Sequence, residues 1–155
     1  MIIHPFSLGQ GTCPLVPASC NLIGRVRFIH YWEGIYSMCE ANSDSDELYV
    51  LWTTGDRETA ISMVLMYTLN AKLRNWWEDV TLIIWGASTK LVLQDEEIQG
   101  RIQQMLEVGV HVEACVACAD MFGATPLLKK LGVDVKGMGT PLTQLLKDGK
   151  KVLSV

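Results

Sequence analysis

From Leu48 to the end of the chain, short apolar runs alternate with longer segments whose apolar residues recur three and four apart. Leu48-Tyr49-Val50-Leu51-Trp52 is apolar without alternation, as a parallel strand covered on both faces requires. Thr53-Thr54-Gly55-Asp56 turns the chain, and Arg57 to Arg74 predicts a helix. Val80 to Trp85 is the second strand, closed by Gly86. Asp95 to Val108 predicts the next helix: Asp95-Glu96-Glu97 suits the positive end of its dipole, and Gly109 ends it. Val110 to Ala114 is the third strand, and the residues after it read as helix. Thr125-Pro126 and Thr140-Pro141 each look like an N-cap followed by proline at the first helical position, opening helices that stop at Gly132 and Gly149. Val133 to Lys136 and Lys151 to Val155 complete the set. Short strands with helices between them imply an α/β protein: an open, five-stranded, mainly parallel sheet in a three-layer α/β/α sandwich.

Residues 1–46 have a different character. Pro5, Pro14 and Pro17 interrupt any helix, the apolar residues follow neither period, and the segment runs into the polar, acidic Asn42-Ser43-Asp44-Ser45-Asp46-Glu47. Val26 to Trp32 is its one strand-like run. The chain therefore divides into an N-terminal extension or linker and an α/β domain over 47–155. Met38 stands shortly before the regular pattern begins, so two readings are open: translation starting at Met38, or a genuine extension.

The helix over Arg57–Arg74 is apolar most of the way round. Ala60, Ile61, Val64, Leu65 and Ala71 make one face, and Met63, Met66, Tyr67 and Leu73 extend it. So little polar face in a small domain predicts a covering partner at a subunit interface, the alternative being a helix deeply buried in its own domain. A net charge of −4 gives no electrostatic footprint for nucleic acid, and no apolar run approaches the ~20 residues that cross a bilayer. With no basic, apolar leader, a reducing cytoplasm is the expected compartment.

Five cysteines fall unevenly: Cys13, Cys20 and Cys39 early, Cys115 and Cys118 together. Glu113-Ala114-Cys115-Val116-Ala117-Cys118-Ala119-Asp120 puts a Cys-x-x-Cys where a strand hands over to a helix. Backbone N–H groups and the helix dipole there are expected to stabilise thiolates and lower both thiol pKa values. A zinc site needs four ligands, and the pair supplies two. Cys39, His30 or a symmetry mate would have to complete it, and no second motif has zinc spacing, so no metal is expected. His111, Glu113 and Cys115 share a strand face, but a strand rise of about 3.3 Å puts His111 roughly 13 Å from Cys115, too far to act as its base. Glu113 is nearer and, as an anion, would raise the thiol pKa.

Loops after parallel strands meet along the carboxyl edge of the sheet. Here they bring together Thr53, Thr54 and Gly55; Trp85, Gly86, Ala87 and Ser88; Cys115 and Cys118; and Gly137, Met138 and Gly139. Small residues allow a ligand close to the backbone, with Trp85 and Met138 as walls. None of these loops is a P-loop or a dinucleotide fingerprint, so nucleotide phosphate is not indicated and no cofactor is expected.

The second part of the chain resembles the DsrE-like family of small α/β proteins. The likeness is carried by Leu51-Trp52-Thr53-Thr54, by Ile84-Trp85-Gly86-Ala87-Ser88-Thr89-Lys90-Leu91, by Glu113 to Asp120, and by Met138-Gly139-Thr140-Pro141-Leu142-Thr143-Gln144-Leu145-Leu146-Lys147. The resemblance implies a flavodoxin-like open sheet and a homo-oligomer, a trimer or hexamer. It also implies a sulfur-relay role, in which the position matching Cys115 accepts sulfane sulfur as a persulfide and passes it to a partner protein. Cys118 stands where relay proteins commonly carry a small residue, which marks a two-cysteine branch. Three functions follow: a persulfide carrier on Cys115, a dithiol/disulfide redox protein using Cys115 and Cys118, or a non-enzymatic oligomeric module binding a small ligand at the rim.

Overall fold

A computed structural model describes residues 46–155. The readings that fall on 1–45, including the Val26–Trp32 strand, Met38 and the ligands Cys39 and His30, lie outside the described residues. Strands β1 (Glu47–Trp52), β2 (Asp79–Ile84), β3 (His111–Cys115), β4 (Asp134–Lys136) and β5 (Lys151–Ser154) form one sheet. Its order is β4-β3-β2-β1-β5, with every neighbouring pair parallel.

Helix α1 is one continuous run in three segments: α-helix over Arg57–Thr59, π-helix over Ala60–Leu65 and α-helix over Met66–Leu73. Then come α2 (Ala87–Gln94), α3 (Glu96–Glu107), α4 (Val116–Met121), α5 (Thr125–Leu131) and α6 (Gly139–Lys147). The acidic start of α3 behaves as expected, with the Asp95 carboxylate accepting from the Glu97 and Ile98 N–H groups at 2.9 and 3.2 Å. Thr125 and Thr140 do not cap their helices. Ala124 and Met138 hold those positions without a side-chain bond, and the Thr125 hydroxyl donates to Asp120 instead.

Strand order decides the layers. The steps β1 to β2 to β3 to β4 all run the same way, so right-handed crossovers put α1 through α5 on one face. The step from β4 to β5 runs back across the sheet and carries α6 over the other face. Packing agrees. Val50, Trp52, Leu82, Ile84 and Ala114 pack with Val64 of α1, Val92 of α2, Ile98 and Ile102 of α3, Ala119 of α4 and Leu128 of α5. A smaller cluster on the α6 side joins Ile83, Cys115 and Met138, with Tyr49, Leu51, Trp85, Cys118 and Leu145 against it.

Much of the apolar face of α1 is used within the domain. Ala60, Val64, Leu65 and Ala71 are buried in the domain's own core, and Ile61, Met63 and Tyr67 pack against that core. Only Met66 and Leu73 of the named residues remain exposed. The wide apolar face is explained largely by the sheet and by neighbouring helices that the periodicity of one helix does not reveal.

Candidate functional site

The direction of travel reverses after β4, so the connections that leave β3 and β4 run over opposite faces of the sheet. A crevice is expected outside the carboxyl ends of two such strands. Cys115 ends β3 as the N-cap of α4, in extended conformation, and Gly137-Met138 follows β4. The chemistry-bearing pair therefore occupies the switch point of the fold.

The two thiols are not equivalent. Cys115 is buried, with 6% of its surface exposed, against Ile83 and Met138; Cys118, one helical turn on, is half-buried. The Gly86 N–H donates to Cys118 Sγ at 3.3 Å. Gly86 can do this because it sits at φ 73°, ψ −130°, a conformation open to a residue without Cβ. Burial pushes the Cys118 thiol pKa up. The Gly86 N–H opposes the rise, while the nearby Cys115 sulfur adds to it. For Cys118 this reverses the expected lowering. Helix α4 is only six residues long, and desolvation outweighs the one amide, of Gly86, that favours the thiolate.

Lys136 was not foreseen. The β3–β4 register sets it beside Cys115, on the same face, and its ammonium lies 2.7 Å from Glu113 and 2.9 Å from Asp134. Those carboxylates raise the Lys136 pKa, keeping it charged. The anion expected to oppose a Cys115 thiolate is thereby neutralised from the neighbouring strand. The sequence does carry the lysine at the end of a legible strand; it does not state which strand lies beside it. His111 is exposed at the far end of β3.

Several predicted rim residues are committed to internal contacts. Thr53 donates from both its N–H (2.6 Å) and its hydroxyl (2.9 Å) to the Val155 carbonyl. The Thr54 hydroxyl accepts from the Asp56 N–H at 3.1 Å. Buried Ser88 donates to the Trp52 carbonyl at 2.7 Å and accepts from the Trp85 N–H at 3.1 Å, tying the ends of β1 and β2. Gly55 admits Ala87: a Cβ on Gly55 would lie 3.1 Å from the Ala87 Cβ. Met138 is fully buried and floors the cysteine pair rather than walling an open pocket. Trp85 is half-buried in the same cluster, and Gly137 and Gly139 face open space. A cleft of about 350 Å³ opens at the opposite, amino end of β3 and β4, lined by His111, Glu113 and Asp134 among others. Among the described residues, no group of three or more His, Cys, Asp or Glu side chains is arranged to hold a metal.

Comparison with solved structures agrees with this architecture. The conserved protein of unknown function BT1422 from Bacteroides thetaiotaomicron is 45% identical, with a TM-score of 0.72 over 75% of this chain and 100% of that one. The YchN protein from E. coli, 18% identical, shares the fold with a TM-score of 0.56 over 70% of this chain and 97% of that one. No curated protein matches the chain. The model of the DsrE/DsrF-like family matches residues 48–155. With its parallel five-stranded sheet and a cysteine at the end of the third strand, the chain belongs to the DsrE/DsrF-like family.

Proposed function

We propose that this protein carries sulfane sulfur as a persulfide on Cys115 and passes it to a thiol of a partner protein. The family suggests a sulfur-relay-type role in general terms. The observation that supports the finer reading is the place of Cys115, which ends β3 as the N-cap of α4 with Cys118 packed against its cluster and Lys136 beside it on β4. In loading, the Cys115 thiolate attacks the outer sulfur of a donor persulfide, R–S–SH. A Cys115–S–SH bond forms, and R–S⁻ leaves to take up the proton. In unloading, an acceptor thiolate attacks the same outer sulfur and restores the Cys115 thiolate. Neither half needs an oxidant, a metal or a cofactor. Both need free thiols, which favours a reducing compartment such as the cytoplasm.

The assembly that fits this reading is a homo-oligomer, trimer or hexamer, as the family resemblance implies. Met66 and Leu73 of α1 and Trp76 just after it are exposed apolar residues available to such a contact.

The test is peptide mass spectrometry after one equivalent of glutathione persulfide. A gain of about 32 Da, one sulfur, is expected on the Cys115 peptide of the Cys118→Ser variant, which has no second thiol there, and is lost when Cys115 is replaced as well. No gain in Cys118→Ser, or a gain on that peptide that survives the loss of Cys115, overturns the reading.

A further inference from the structure

Cys118 has no part in the transfer step, yet its sulfur is held in place from two sides. The Gly86 N–H fixes it at 3.3 Å from the end of β2, and it packs against the cluster of Cys115, Ile83 and Met138 at the end of β3. Gly86 maintains that contact in a backbone conformation that a side chain would strain. A cysteine that merely filled space in α4 would need neither partner. Residues three apart on a helix lie about 5–6 Å apart at Cβ, and a disulfide needs about 3.5–4.5 Å, so a small adjustment of the first turn closes the gap.

We infer that Cys118 is a resolving thiol: when no acceptor takes the sulfur, it attacks the Cys115 persulfide and discharges it as hydrogen sulfide. This rests on the carrier reading. The Cys118 thiolate attacks Cys115 Sγ, the inner sulfur. The Cys118–Cys115 S–S bond forms, the bond to the outer sulfur breaks, and HS⁻ departs to take up the proton that Cys118 lost. The sum is Cys115–S–SH plus Cys118–SH giving the Cys115–Cys118 disulfide plus H₂S. The outer sulfur is reduced to sulfide while the two cysteine sulfurs are oxidised to a disulfide, so the electrons balance internally. A dithiol reductant resets the pair. Burial, by holding Cys118 protonated, delays the discharge and gives an acceptor time to intervene.

The experiment uses the full chain and one equivalent of glutathione persulfide without acceptor. Released sulfide is measured against the double variant Cys115→Ser/Cys118→Ser, and peptides are mapped after alkylation. Wild type is expected to release sulfide above that background and to lose about 2 Da in the Cys115–Cys118 peptide, a loss that dithiothreitol reverses. Cys118→Ser, and Cys118→Ala as an independent variant, are expected to keep the added sulfur on Cys115 and to release no more sulfide than the double variant. If wild type keeps its persulfide with neither sulfide nor disulfide, the resolving role is overturned and the carrier stands. A disulfide that instead recruits Cys13, Cys20 or Cys39 overturns it equally. If neither Cys118 variant gains sulfur on Cys115, the carrier reading itself fails. Wild type needs no substitution to show its disulfide, so the result does not depend on a variant's folding.

Discussion

The two faces of the sheet are built to different standards. Beneath α1 to α5, Val50, Trp52, Leu82, Ile84 and Ala114 have no exposed surface. On the other face Ile83 is equally buried, but Tyr49, Leu51 and Trp85 are only half-buried, and α6 above them contributes no fully buried residue. This second face carries Cys115, Lys136 and Glu113. Stability is concentrated where helices are many. The two cysteines sit on the side where cover is thinner.

The largest effect that sharpens this contrast is cavity creation. Leu82→Ala should cost about 2–5 kcal/mol, as for a fully buried leucine. Leu145→Ala, under partial burial, should cost about 1 kcal/mol and speed alkylation of Cys115. Equal losses in urea unfolding would erase the distinction between the faces.

Gly86→Ala comes next. Forcing a side chain into the conformation at φ 73° should cost about 1–3 kcal/mol. It should also release Cys118 from its amide and alter its alkylation rate; a variant as stable as wild type with an unchanged rate would remove Gly86 from the site.

Titration tests the same contact more gently. Because folding raises the Cys118 pKa, the folded state holds the proton more tightly than the unfolded chain. The contribution is therefore complete below the unfolded thiol's pKa and is lost as pH rises through the folded value. Alkylation of Cys118 should need a more alkaline solution than a free cysteine does. Alkylation at the pH of the free amino acid would show that burial does not govern this thiol.

The smallest effect on stability is expected at Lys136. Its ion pair with Glu113 is partly solvated, so Lys136→Met should cost under about 1 kcal/mol. Uncovering the Glu113 charge beside Cys115 should nevertheless slow alkylation of that thiol. An unchanged rate would separate the charge pair from the chemistry.

Strands β1 and β2 were legible as local apolar runs, and β3, β4 and β5 as short segments after the glycines that end the preceding helices; their bounds shifted by no more than a residue or two. Helix α2 was not, although its residues were in plain view. Ser88 and Thr89 are indifferent helix formers, and Leu91-Val92-Leu93 is a continuous apolar run without helical period. Packing supplies what propensity does not: Ser88, Thr89 and Val92 are buried.

The candidate site divides in the same way. The Cys-x-x-Cys and its place at a strand–helix junction are properties of eight consecutive residues, so the sequence alone determines them. Which sulfur lies deeper depends on how α4 packs against β2 and β4. The roles of Thr53, Ser88 and Met138 depend on contacts with Val155, Trp52 and Cys115, far away along the chain. Local patterning reports what a residue does to its own backbone. Only the order of the strands decides which distant charge, amide or sulfur stands beside it, and that order is set by burial summed over the whole domain.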